Sequence, residues 1–351
     1  MYKLKVMCTI WMLVALLGCS SAIDNSHLQK DLLHLEAKIP LSGVTGRIDH
    51  LAYDSVGRRL FVAALGNNTV EVIDLATRGV SHTITGLREP QGVQYLPSLD
   101  RLVVANGSDG SCVFYDGHTF AELKRVELGD DADNIIYDGK AVYVGYGNGG
   151  IAVIDPVTMK QVGSLPLKAH PESFQLGDSN RIYINVPDAG EIASADLKTL
   201  HVFGTWKNSG ASANFPMALV HETGQSSHEA GQSSNEAGHP WHGGNRLLVA
   251  YRHPAQLRVI DCKTGTVLAS AACVSDADDV FYDAASGLVF VSGGGGYLDV
   301  FRAGVLVNHL STRRGARTGL WLPQERKFIL AVPQRGGEDA ALWVYSLAKD
   351  R

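Results

Sequence analysis

The chain has 351 residues, 45% of them hydrophobic, with 38 glycines and a formal net charge of −5. This is ample for a large buried core, and the acidic balance disfavours nucleic acid as a general partner. Abundant glycine and frequent turn dipeptides point to short strands rather than helices.

Residues 1–18 read as a targeting segment: Lys3 and Lys5 supply a positive start, and Val6 to Leu17 form an apolar stretch. That stretch is too short to span a bilayer comfortably. It ends in Leu16-Leu17-Gly18-Cys19-Ser20-Ser21, which resembles the bacterial lipobox. The resemblance implies a lipoprotein signal peptide over 1–18, lipidation at Cys19, a tether over 19–31 and a lipid-anchored place in the bacterial cell envelope. Ser20 after the cysteine suits the outer membrane, facing the periplasm. Cys8 leaves with the signal and Cys19 would carry lipid. Cys112, Cys262 and Cys273 remain, an odd set expected to be free and mostly buried thiols.

From residue 32 onward one unit recurs. Short apolar runs begin with DHLAYD at Asp49, QGVQYL at Gln91, DNIIYD at Asp133, ESFQLG at Glu172, FPMALV at Phe215, DDVFYD at Asp278 and RTGLWL at Arg317. Their spacings are 42, 42, 39, 43, 63 and 39 residues. Each run is followed by a turn, a second strand such as RLFVAAL or RIYINV, a Gly/Asn loop, a third strand and a more polar fourth. The third strand is plainest in NTVEVIDLAT at 68–77, GGIAVIDPVT at 149–158 and AQLRVIDCKT at 255–264. Four antiparallel strands every ~40–45 residues mark a β-propeller blade, and seven such units predict an all-β, seven-bladed propeller over residues 32–351. The last blade stops at Val344–Leu347, after its third strand. His34–Leu41 ends in the same Pro-Leu as the fourth strand at 160–167, and is expected to complete the ring and remove its open edge.

The blade pattern resembles the YVTN-repeat, YncE-like family of bacterial seven-bladed propellers, over roughly residues 32 to 347. The resemblance implies this architecture in an exported or surface protein; it implies no reaction. Several carboxylates read as turn caps rather than chemistry: Asp74, Asp116, Asp155, Asp196 and Asp261 at the ends of third strands, and the Asp of Tyr53-Asp54, Tyr137-Asp138 and Tyr282-Asp283. Gly293 to Gly296 read as a flexible connection between the second and third strands of the sixth blade. The long interval holds a low-complexity insertion over 221–244, expected in the turn between the first two strands of the fifth blade. It carries the tandem heptads GQSSHEA and GQSSNEA with His221, His228, His239 and His242. His tracts can bind metals, but a slippage duplication accounts for this one without a metal.

Function should sit where the segments leading into the first strands meet the loops between strands two and three, at one mouth of the channel. The leading residues are polar: Asp49-His50, Gln91-Gly92, Asp133-Asn134, Glu172-Ser173, Asp278-Asp279 and Arg317-Thr318, with Arg47, Asp130, Asp131 and His170 just upstream. The candidate ligand-binding set is Arg47, Asp49, His50, Asp133, Asn134, His170, Glu172, Tyr251, Arg252, His253, Asp278, Arg317 and Arg335. Arginine forks suit carboxylate or phosphate, while Asp49, Asp133, Glu172 and Asp278 could offer oxygen ligands to a divalent cation. Two readings follow. One is a monomeric recognition module for a small polar ligand or an envelope protein. The other is a Ca-type, metal-dependent hydrolase or lyase with His50 or His170 as proton shuttle. No nucleophile motif or complete metal triad supports the second, and neither copper nor a redox cofactor finds its usual histidines or repeated tryptophans.

Overall fold

The structure, a computed structural model, describes residues 32–220, 241 and 245–348. The targeting segment, Cys19, the tether and nearly all of the heptad insertion lie outside the described residues. Seven four-stranded antiparallel sheets form the ring. Their first strands are Leu51–Asp54, Pro90–Leu96, Ile135–Tyr137, Phe174–Leu176, Ser212–Val220, Ala277–Asp283 and Gly319–Leu322. The insertion joins the first and second strands of the fifth blade, Ser212–Val220 and Arg246–His253.

Second and third strands are buried on both faces, because each sheet is sandwiched between two others; Leu60 to Ala64 are all fully inaccessible. This is why their sequences are continuous apolar runs rather than alternating ones. Each core cluster joins neighbouring blades. Phe61 of the first stacks on Tyr95 of the second at 5.6 Å. Arg59 lies over both rings and donates to Asp54 Oδ2 and across the blade gap to Gly117 O at 2.8 Å.

The turn-cap readings match the geometry. Asp74 Oδ1 accepts from the Ala76 and Thr77 amides, and Asp155, Asp261 and Asp116 do the same two and three residues on. Asp196 accepts from Thr199, Asp54 from Val56 and Gly57, Asp138 from Lys140 and Ala141, and Asp283 from Ser286. Cys112 and Cys262 are buried free thiols; Cys273 is free and half-buried.

The N-terminal strand Leu33–Pro40 pairs antiparallel with Ala341–Leu347, with Ala37 opposite Val344 and Ile39 opposite Leu342. Its register contains a detail that sequence spacing did not reveal. In blades one to six the fourth strand carries one extra residue against the third: Ser81, Leu123, Val162, Phe203, Leu268 and Val307. The closing strand has the same bulge at Glu36. Such a bulge twists an edge strand and spoils it as a template for further pairing, so every rim edge of the ring is blunted in the same way. Glu36 also latches the ring. It accepts from Lys327 and Ser346 of blade seven and from Arg78 of blade one. The Lys327 hydrogen bond leads in holding its carboxyl below the usual range.

Because strands alternate in direction, first strands start at one face of the ring, here called the mouth, and fourth strands start at the other. Leu33, Val220 and Asn245 therefore all lie on the face opposite the mouth.

Candidate functional site

The seven positions that open the sequence repeats, Asp49, Gln91, Asp133, Glu172, Phe215, Asp278 and Arg317, all line two voids at the mouth. The upper holds about 170 Å³ and the lower about 30 Å³. One turn before them, the residue two positions upstream has left-handed backbone in five blades: Glu89, Asp131, Ala213, Asp276 and Gly315. Asp tolerates that conformation better than most residues, and Gly at no cost. The turn delivers Asp131 and Asp276 beside the repeat position. At Gly294 and Gly295 a side chain would collide with Asp276 and Ser275, so this connection is packed closely against the site rather than left loose.

The charges are interlocked. Arg47 Nη2 lies 2.7 Å from Asp49 Oδ2. Arg252 pairs with Asp278 at 2.6 Å and Asp276 at 3.3 Å, donates to Ala277 O, and covers the Phe215 ring at 3.9 Å. Arg317 reaches Asp276 at 3.2 Å and Asp278 at 3.5 Å. His170 donates its Nδ1 proton to Gly147 O at 2.7 Å and lies 3.6 Å from Asp131 and 4.0 Å from Asp133. His50 Nε2 sits 3.7 Å from Asp133 Oδ1 and 4.0 Å from Asp49 Oδ1. Gln91 donates to Asp131, and the Gly319 amide to Asp279. Asp49 is 3% exposed and Asp133 9%.

Crowding so many ions in a dry place moves their protons. Burial pushes Glu172 up to about 7, with Asp133 reinforcing it, and Asp279 likewise to about 7. Asp49 is also raised by burial, against the pull of His50 and Arg47. Burial works to depress His50 and His170, but the surrounding carboxylates outweigh it and carry each to about 9. For Asp133 burial is likewise outweighed, here by the two imidazoles, and it is held below the ordinary carboxylate range. Near neutrality the mouth thus holds imidazolium beside carboxyls poised to gain or lose a proton.

The structure brings together Arg47, Asp49, His50, Asp133, Asn134, His170, Glu172, Arg252, Asp278 and Arg317. It does not bring in the other three candidates. Tyr251 is buried between blades with Arg258 over its ring and its hydroxyl on Asn208. His253 is exposed beyond the end of the mouth wall, and exposed Arg335 turns its guanidinium onto Arg314 O. Asp276, Asp279, Asp131, Gln91 and Phe215 join the site outside that set. Asp276 could have been found as the counterpart of Arg47, Asp131 and His170, each two residues before a repeat position. The carboxylates Asp49, Asp133, Glu172 and Asp278 do not make a cation cage: among the described residues no three His, Cys, Asp or Glu side chains are placed to hold a metal ion. Arginines and imidazoles stand between them instead.

Below His50 and Asp278 the channel widens into a chamber of about 400 Å³ opening toward the other face, walled by Leu51, Met217, Phe281, Leu320 and Trp321. The mouth, not this chamber, gathers the charged groups.

The solved structure of Kuenenia stuttgartiensis Hydrazine Synthase is similar to this chain with a TM-score of 0.62, covering 83% of this chain and 94% of that one. At 15% sequence identity the likeness shows the fold alone. No family model matches the chain, and no curated protein matches it either. The chain is a seven-bladed β-propeller with four antiparallel strands in each blade.

Proposed function

We propose that this propeller is a binding module whose mouth takes a small polar ligand. One observation carries the reading: all seven repeat positions, one per blade, open onto the same small voids, and six of the seven are polar or charged. A ring of rigid sheets that aims a different side chain from each blade at one point is suited to recognition of a polar molecule. The VID-type repeats favour a YVTN-repeat, YncE-like relationship, and the segment ending at Cys19 favours a lipid-anchored protein of the outer membrane. A calcium-type hydrolase or lyase finds less support, since the mouth carboxylates are neutralised by Arg47, Arg252, Arg317 and the imidazoles.

Thermal-shift and calorimetric titration of the purified protein with amines, amino acids, carboxylates, phosphates and sugars tests this. Saturable binding that raises the melting temperature and is lost in Arg252→Ala is expected. No response to any of these solutes would defeat the small-ligand reading and leave an envelope protein as the partner.

A further inference from the structure

We propose that the group recognised at the mouth is the ammonium head of a small organic amine, donating its N–H bonds to Asp133 and Glu172. This rests on the reading of the mouth as a ligand site and adds the charge and class of the ligand.

The positive charges at the voids are already paired. Arg252 and Arg317 are committed to the oxygens of Asp276 and Asp278, and Arg47 stands 2.7 Å from Asp49 Oδ2 in an ion pair that leaves that oxygen without a hydrogen bond. An anionic ligand would have to break those pairs to be held. The carboxylates are not all matched in this way. Asp133, 9% exposed, lines both voids, and its buried Oδ1 has no hydrogen-bond donor; His50 Nε2 stands 3.7 Å away. Among the described residues no side chain donates to the Glu172 carboxylate, which lines both voids. A buried acceptor without a donor is costly, and natural structures seldom leave one unexplained. What Asp133 Oδ1 and Glu172 lack is therefore a donor at hydrogen-bond distance; the imidazoles of His50 and His170 stand 3.7 and 4.0 Å from the Asp133 carboxylate.

The voids are also small. The lower void, about 30 Å³, has room for a group the size of a water molecule or an –NH3⁺ head. The upper void, about 170 Å³, leaves room for a body of only a few heavy atoms. Phe215, the single aromatic among the repeat positions, lines both voids and gives that body an apolar wall.

A metal ion is the competing cation. It needs three or more ligands converging at short range, and among the described residues no such group exists. An ammonium needs only separate acceptors at hydrogen-bond distance, which is what Asp133 and Glu172 offer.

The test is calorimetry at pH 7.5 with methylammonium and propylammonium chloride against methanol, propanol, acetate, inorganic phosphate and calcium chloride. Alkylammonium ions should bind saturably while the alcohols do not. Glu172→Gln and Asp133→Asn should each weaken binding about ten- to a hundredfold, the worth of one charge-assisted hydrogen bond. Should Asp133→Asn fail to fold, Glu172→Gln carries the test, with circular dichroism confirming its fold. Ammonium binding indifferent to Glu172→Gln would overturn the assignment. So would binding of acetate, phosphate or calcium in place of the amines, although the mouth would then still be a ligand site. If none of the solutes binds, the ammonium assignment falls, and the amino acids and sugars of the wider panel decide the mouth reading.

Discussion

Replacing Asp279 with asparagine should make the protein more stable in alkali and leave it unchanged in acid. Asp279 faces the lower chamber beside His50, and its Oδ2 accepts the Gly319 amide at 2.7 Å. An asparagine oxygen can accept the same bond, so the substitution removes a charge without removing the contact. In the folded chain burial raises this carboxyl from 3.8 to about 7, Asp278 and Asp49 adding to the effect while His50 and Gly319 oppose it. Between about pH 4 and pH 7 the folded state therefore holds a proton that the unfolded chain has released, and stability falls as pH rises. The contribution is fully present below the unfolded value and lost once pH exceeds the folded one. A rise of this size corresponds to ~4 kcal/mol, and because the chamber is open to solvent, screening reduces it to ~2 kcal/mol. Denaturant unfolding should thus give equal stabilities for wild type and Asp279→Asn at pH 4, and an advantage of ~2 kcal/mol to the variant at pH 8.5. A gap that does not change with pH, or a variant less stable than wild type at pH 8.5, would refute the reasoning.

Arg59→Ala should destabilise the fold by ~3–5 kcal/mol, because it strands the buried Asp54 charge and breaks the link to Gly117 of the next blade; a loss under ~1 kcal/mol in denaturant unfolding would show the clasp to be idle. Gly294→Ala would place a methyl 2.0 Å from Asp276 Oδ2. It should weaken ligand binding by loosening the Asp276 hold on Arg252 and Arg317, and unchanged affinity would separate that loop from the site. Cys19→Ala should release the protein from membranes, and continued membrane fractionation would defeat the proposed anchor.

The fold was legible because a propeller writes its structure seven times. A repeat position averaged over copies shows which residue begins the inner strand, and all seven such positions do meet at the mouth. What sequence could not fix was which neighbour in a strand faces the axis. Tyr251 and Arg252 are adjacent, so they point to opposite faces; Arg252 reaches Asp278, whereas Tyr251 enters the core between blades. A one-residue uncertainty exchanges the two. Asp279 posed the opposite difficulty: its place was readable, but its raised proton affinity follows first from burial, and then from its neighbour Asp278 and from Asp49 of the first blade. The bulge at Glu36 left no sequence signal either, since any residue suffices for an extra position on an edge. The six equivalent bulges are Ser81, two leucines, two valines and Phe203, so no single residue marks the position, and Glu36 departs from the apolar majority.

That bulge has a consequence for how the molecule would sit on a membrane. Because Leu33–Pro40 carries the same irregularity as every fourth strand, it runs in the fourth-strand direction, from the face opposite the mouth toward it. The chain before Leu33 must then leave from the opposite face. With the proposed lipid on Cys19, only 12 residues separate the anchor from Leu32, an extended reach of at most ~45 Å. A tether this short, attached to that face, favours an orientation in which the mouth looks away from the bilayer and toward solutes. The two ends of the histidine-rich insertion, Val220 and Asn245, are then on the membrane side, apart from the ligand site. With that proposed anchor, strand direction, fixed by hydrogen-bond register rather than by any surface residue, would decide which face of the ring a diffusing ligand meets first.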